Sequence, residues 1–273
     1  MSIKSKVLAA CATLTLVSGL SMAGAITAGT ASAATPSCGP NCIDIFSKDF
    51  GTLIPPNPQF TLDVLKQGNK VGQPLILFRQ SNSDPALDWT VSNQGAVSDF
   101  YSAGLVSSAL ALHYGCGYNL NTGNCSPTIN PVTGHTYPND FAFEVQYSPY
   151  GVDSGLCAGL ASTAVTGEGV TLQPCGVSSK TVWVADTLDS CPGNPLYLDE
   201  VPAINGSDTN FSHPYVLTYP AAGYPTDTPR PQLTVTNLTG FSQSGGGSGL
   251  CGGSAVIGPD NNQLWSAVAG VLP

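Results

Sequence analysis

Glycine and proline punctuate this chain too densely for long helices: there are 31 Gly and 22 Pro among 273 residues. Inside a helix Gly costs about 1 kcal/mol and Pro about 3 kcal/mol relative to Ala. Beyond residue 33 the apolar side chains do not recur at helical spacing over any helix-length window. Short runs rich in Val, Leu, Thr and aromatics recur instead. They fall at Phe60–Leu65, Pro74–Phe78, Trp89–Val91, Leu110–Tyr114, Phe141–Tyr147, Val170–Leu172, Thr181–Val184, Tyr215–Tyr219 and Gln232–Thr236. Short strands separated by turn residues predict a helix-free, all-β barrel or sandwich. The glycine-rich stretch from Ser244 to Gly249 reads as an inserted loop, because the strand pattern resumes at Asn262-Gln263-Leu264-Trp265.

The first residues differ from the rest. Lys4 and Lys6 precede an apolar run from Val7 to Val17, and Ala31-Ser32-Ala33 has the form that signal peptidase reads. The run is shorter than the roughly 20 apolar residues a membrane anchor needs. The expectation is a secretory signal peptide over residues 1–33 and one extracellular domain over residues 34–273. The formal charge is −9 and grows two units more negative when Lys4 and Lys6 leave. Such a chain is repelled by phosphate backbones and anionic membranes, which argues against nucleic acid and membrane partners. Charged residues make up only 9% of it, against about 25% in an ordinary domain. A surface of Ser, Thr, Asn, Gln and Gly suits a neutral polar ligand. Nothing in the composition sets the oligomeric state.

Loss of Cys11 with the leader leaves Cys38, Cys42, Cys116, Cys125, Cys157, Cys175, Cys191 and Cys251, an even set that reads as disulfides in an exported chain. Local pairing joins Cys38 to Cys42, Cys116 to Cys125 and Cys157 to Cys175, leaving Cys191 for Cys251, although other connectivities stay open. There is no CxxC pair, and His113, His135 and His213 are scattered singly, so no metal or cofactor is expected.

The strands recur in a fixed order. Leu62-Asp63-Val64, Gly72, Leu75-Ile76-Leu77-Phe78 and Asp88-Trp89 form one stretch. Leu156-Cys157-Ala158-Gly159, Gly169, Val170 to Cys175 and Val182-Trp183 form a second, and Tyr215 to Thr218, Gln232 to Val235 and Gln263-Leu264-Trp265 a third. This order resembles the QxW repeat of ricin-type β-trefoil lectins. The resemblance implies a single all-β, β-trefoil-like domain with long loop insertions, and it places Cys157 and Cys175 where the family forms its intra-repeat disulfide. Only the third stretch keeps the Gln; Leu87 and Thr181 stand at the other two positions. The tryptophans are also spaced far more widely than in the family. A fourth, degenerate copy is read between the first two stretches, from Leu110–Tyr114, Phe141–Val145 and Gly151–Asp153.

The same resemblance assigns Trp89, Trp183 and Trp265 to the shared core rather than to ligand. It also picks out a sugar pocket in the first repeat, in which Asp63 accepts hydrogen bonds from neighbouring hydroxyls and Phe78 stacks on the ring. The amide that completes such a pocket falls near Ala86 and Leu87, which have no polar side chain. Gly159 and Gln173 in the second repeat, and Thr218 in the third, do not match the pattern. The function this implies is weak, non-enzymatic binding of a neutral saccharide. The rival readings are a structural or protein-interaction role without sugar binding, and a secreted hydrolase. The last rests on Asp153-Ser154-Gly155, a fragment of the serine-protease nucleophile loop, with His113 and His135 upstream; turn chemistry before the next strand explains Ser154 better. Three Asn-x-Ser/Thr sequons, at Asn205, Asn210 and Asn237, are glycosylation sites only in a host that modifies them.

Overall fold

Alternating side chains build a repeated hairpin. In β2 (Phe60–Val64) and β3 (Leu75–Arg79), Leu62 stands opposite Leu77 and Val64 opposite Leu75, and all four are buried. In β6 (Leu156–Leu160) and β7 (Val170–Pro174), Ala158 stands opposite Leu172 and Leu160 opposite Val170. In β10 (Tyr215–Thr218) and β11 (Thr234–Asn237), Leu217 stands opposite Val235. A period of two sends these residues to one face and their neighbours to the other.

Each hairpin is flanked by two further strands. They are β1 (Ile43–Ser47) and β4 (Trp89–Ala96), β5 (Phe141–Tyr147) and β8 (Trp183–Ala185), and β9 (Ala203–Asn205) and β12 (Trp265–Ala269). Antiparallel pairing links these six in the order β12-β1-β4-β5-β8-β9. The hairpins also meet one another, through bridges Pro74 to Thr171, Gly169 to Thr234 and Ile76 to Gln232. Each bridge joins the same two positions of successive units, so the three contacts are related by a pseudo-three-fold axis. Three four-strand units with a barrel layer and a hairpin layer make a β-trefoil-like fold. The computed structural model describes residues 38, 42–47, 60–81, 83–115, 140–185, 202–220, 230–239 and 261–269, all within the unit Thr35–Pro273. The expected leader, the loop at 244–249, His135, Cys116, Cys125, Cys191 and Cys251 lie outside the described residues.

The tryptophans mark the symmetry most clearly. A one-turn 3-10 helix precedes each, and each indole lies in the main core at 3% exposure or less. The Nε1 of Trp89 donates to Leu62 O at 3.0 Å, that of Trp183 to Ala158 O at 3.0 Å and that of Trp265 to Leu217 O at 2.8 Å. These acceptors occupy one equivalent position in the three hairpins. A buried indole N–H must find a partner, and here it ties the barrel layer to the hairpin layer in every unit.

Two expectations fail together. Leu110–Tyr114 is not a strand: it lies in α2 (Ser108–Tyr114), which follows α1 (Val97–Ser102). Ser107 Oγ caps α2 by accepting from Leu110 N at 3.1 Å. Gly104, at φ +74°, closes α1, with Leu105 N donating to Phe100 O at 2.9 Å. Val97, Phe100, Leu110, Ala111 and Tyr114 bury against Val182, Val184, Ile204 and Val216, forming a second core outside the barrel. Helices of six and seven residues show too few turns for periodicity to register, and packing stabilises them. The fourth copy therefore does not exist. Its first part is this helical insertion, and Phe141–Tyr147 is β5, the opening strand of the second unit.

Candidate functional site

The β2–β3 register sets the geometry. Thr61 stands opposite Phe78 and Asp63 opposite Ile76, so all four side chains share the face turned away from the barrel core. The two residues picked out by sequence thus lie diagonally across one surface. Their environment differs from the expectation of a shallow exposed mouth. Asp63 is only 2% exposed, Phe78 is half-buried, and the guanidinium of Arg230 sits 3.7 Å from the centre of the Phe78 ring. This cation–π contact contributes about 0.5–1 kcal/mol, more if desolvated.

Arg230 reaches Phe78 because of the pseudo-symmetry. The bridge between Ile76 and Gln232 is antiparallel, so two residues farther along each segment brings Phe78 beside Arg230. The corresponding positions in the first and second units are Gly72 and Gly167, both with positive φ. Of these three positions, only the one that faces the first unit has a cation.

No described residue donates a hydrogen bond to the Asp63 carboxyl, and the buried Thr61 Oγ1 beside it is also without a partner. Burial, reinforced by Asp84 and opposed by Arg230, pushes Asp63 up from 3.8 to about 8. Asp84 itself is anchored, its Oδ1 accepting from Ala86 N at 3.0 Å and from Gln67 Nε2 at 3.1 Å. Asp88 is raised mainly by burial while its Oδ2 accepts from Tyr150 N at 2.8 Å. The Tyr147 hydroxyl is raised by burial and then by Asp63, Asp88 and Asp84.

The equivalent faces of the other units are closed. In the third, Gln263 Nε2 donates to Thr236 Oγ1 and to Asn237 O, both at 2.9 Å, and to Thr218 Oγ1 at 3.3 Å. Its Oε1 accepts from Thr239 N at 2.9 Å and Thr239 Oγ1 at 3.0 Å. In the second, Gly159 takes the place of Asp63, and a Cβ there would meet Lys180 O and Thr181 Cγ2 at 2.8 Å each. Thr181 stands at the Gln position and donates to Glu144 Oε1. In the first, that position is the buried Leu87, which offers Asp63 nothing.

The disulfides expected at Cys157–Cys175 and Cys38–Cys42 are present, with Cα atoms 5.0 and 5.8 Å apart, inside the usual limit of about 7 Å. Ser154 Oγ donates to Tyr147 O at 2.6 Å and accepts from Leu156 N at 3.1 Å, fixing the turn into β6. His113 stacks on Phe211 with ring centres 4.8 Å apart. The sequon residue Asn205 is fully buried and donates to Lys180 O at 3.0 Å, so a glycan on it would not fit this fold.

Sequence reasoning missed Arg230 and Thr61. Thr61 carried a signal, since it precedes Asp63 by two places in a strand and so shares its face. Arg230 carried none, because its neighbour is set by a bridge between distant segments.

No family model and no curated protein matches the chain. Among solved structures it is similar to ThreeFoil, a designed three-fold symmetric protein, at 12% identity and TM-score 0.43, covering 84% of this chain and 99% of that one. It is also similar to a Caenorhabditis elegans protein of unknown function, at 9% identity and TM-score 0.33, covering 88% and 99%. The three-fold arrangement described above stands on this chain's own pairing.

Proposed function

We propose that this protein is an exported, non-enzymatic binding protein whose first unit takes a neutral saccharide with weak affinity. One observation carries the reading. Asp63 is a buried carboxyl to which no described residue donates, at a position where the third unit is internally satisfied and the second has no side chain. Leaving a buried polar group unpaired costs about 1–3 kcal/mol, more for a charged one. A ligand with hydroxyl groups relieves that cost: the carboxyl, which burial keeps protonated up to about pH 8, donates to one sugar oxygen and accepts from a neighbouring hydroxyl. The low charge content of the chain favours an uncharged partner. With so small a polar constellation, affinity on the order of millimolar, about −4 kcal/mol, is expected.

Glycan-array and polysaccharide pull-down measurements test this directly. Neutral saccharides are expected to bind the native chain and not Asp63→Asn. A native protein that binds no neutral glycan ends the proposal. The export half has its own test: the amino terminus of protein from culture medium is expected within a few residues of Ala34, and retention of Met1 on a membrane-bound species refutes it. Labelling by a serine-hydrolase activity probe would refute the non-enzymatic assignment.

A further inference from the structure

We propose that the disulfide between Cys38 and Cys42 is a thiol-exchange site: a small thiol opens it in the folded protein while Cys157–Cys175 stays closed, and its opening loosens the turn that holds Asp88. The two bridges differ in how the fold holds their ends. Cys157 lies within β6 opposite Gln173, and Cys175 N donates to Gly155 O at 3.1 Å. The ladder therefore keeps those two sulfurs together even when their bond is cut. Cys38 lies outside every strand, and among the described residues no backbone hydrogen bond holds it. Its sulfur instead sits 3.7 Å from Ser148 O. A loosely held sulfur meets its partner at a lower effective concentration, so the bond it makes is the more easily reduced.

The chemistry needs only a thiol. A thiolate attacks Cys38 Sγ, at the partly exposed end of the bridge, and forms a mixed disulfide with it. The electron pair of the old S–S bond leaves on Cys42 Sγ, which takes up a proton. A second thiolate attacks the outer sulfur of the adduct, releasing a small-molecule disulfide, and Cys38 Sγ takes up a proton in turn. Attack at Cys42 is disfavoured because that residue is only 3% exposed. Cys38 also presses on a strained turn. A Cβ on Gly151 would stand 2.7 Å from Cys38 O, so the chain at Cys38 packs directly against it. The preceding residue, Tyr150, has φ +57°, a left-handed conformation that a tyrosine keeps only where its surroundings impose it. Its ring is exposed, so the backbone contacts do this: Tyr150 N donates to Asp88 Oδ2 at 2.8 Å, and Cys38 lies against Gly151. Ser148 anchors the same turn, its N donating to Asp88 O at 2.9 Å and its Oγ to Asp153 Oδ1 at 3.0 Å. Release of Cys38 removes one of these constraints and leaves the strain for the Asp88 contact to hold.

The test is a titration of the folded, oxidised protein with reduced glutathione, with free thiols trapped by iodoacetamide and mapped by peptide mass spectrometry. Cys38 and Cys42 are expected to be alkylated at about tenfold less glutathione than Cys157 and Cys175, with the glutathionyl adduct on Cys38. Amide hydrogen exchange in peptides spanning Ser148 to Val152 is expected to quicken about tenfold once the bridge is open. Cys38→Ser combined with Cys42→Ser is expected to reproduce that exchange without any thiol, in a chain that still melts cooperatively. Reduction of both bridges together, or of Cys157–Cys175 first, overturns the proposal. An adduct on Cys42 overturns the direction of attack. Unchanged exchange in the opened protein overturns the link to the turn. If the serine variant does not fold, exchange in the glutathione-treated native protein decides that link by itself.

Discussion

The first and third units place the same backbone positions in opposite chemical states. Around Gln263 every amide group of the side chain is used, by Thr218, Thr236, Thr239 and Asn237. Around Leu87 the matching face has a buried carboxyl to which no described residue donates and a hydroxyl without a partner, with the Arg230 guanidinium over the neighbouring Phe78 ring. One fold therefore spends a polar position on its own stability in one unit and leaves it unspent in another. A fully satisfied buried network rigidifies a fold, whereas a partly satisfied one is costly unless something else completes it. The difference arises from a few side chains, since the register of the two hairpins is the same.

The comparison breaks first if the units are not structurally equivalent. Trp89→Ala and Trp265→Ala each remove a core indole bonded to an equivalent carbonyl, Leu62 O and Leu217 O, so each is expected to cost about 3–5 kcal/mol. Chemical denaturation that finds one substitution nearly neutral would show that the barrel does not depend on its three units alike. The second unit has a covalent brace instead of an amide network. Cys157→Ala with Cys175→Ala is expected to lower stability by about 3 kcal/mol on the loop-entropy model, read as a lower denaturant midpoint.

Titration sharpens the contrast. The Asp63 carboxyl, facing Asp84 and Arg230 with Tyr147 and Asp88 nearby, is raised from 3.8 to about 8 in the folded chain. Between those values the unfolded chain has released the proton and the folded chain still holds it. Stability therefore falls as pH rises through this window, by roughly 1 kcal/mol per pH unit, and levels off above it. Asp63→Asn removes this slope. Its melting temperature relative to native is expected to climb between pH 5 and pH 8. A constant difference across that range would mean that Asp63 is ionised throughout. The smaller effects are reciprocal exchanges. Gln263→Leu is expected to cost about 2 kcal/mol by stranding buried hydroxyls. Leu87→Gln, by offering Asp63 a donor, is expected to stabilise the protein by about 1 kcal/mol at neutral pH. If the second exchange destabilises the protein, the first-unit face lacks room for an amide.

Much of the architecture was legible because its signals are local. Alternation in Phe60–Val64 and Leu75–Arg79, turn glycines, and a tryptophan after each hairpin are written within short windows. The order in which they recur marked three hairpin units, and the resemblance it carries implied the bond between Cys157 and Cys175. The opening strands β1 and β9 were not among the expected strands; Ala203–Asn205 is only three residues long, and both strands form by pairing with neighbours. The same brevity hid α1 and α2. Sequence also brought Asp63 and Phe78 to one face, because a two-residue period is a property of the strand itself. Whether that face is open was decided by tertiary structure. The burial of Asp63, the filling of the third pocket by Gln263 and the arrival of Arg230 over Phe78 all depend on contacts between segments far apart in the chain. Local sequence determines which way a side chain points, and only the packed fold determines what it meets there.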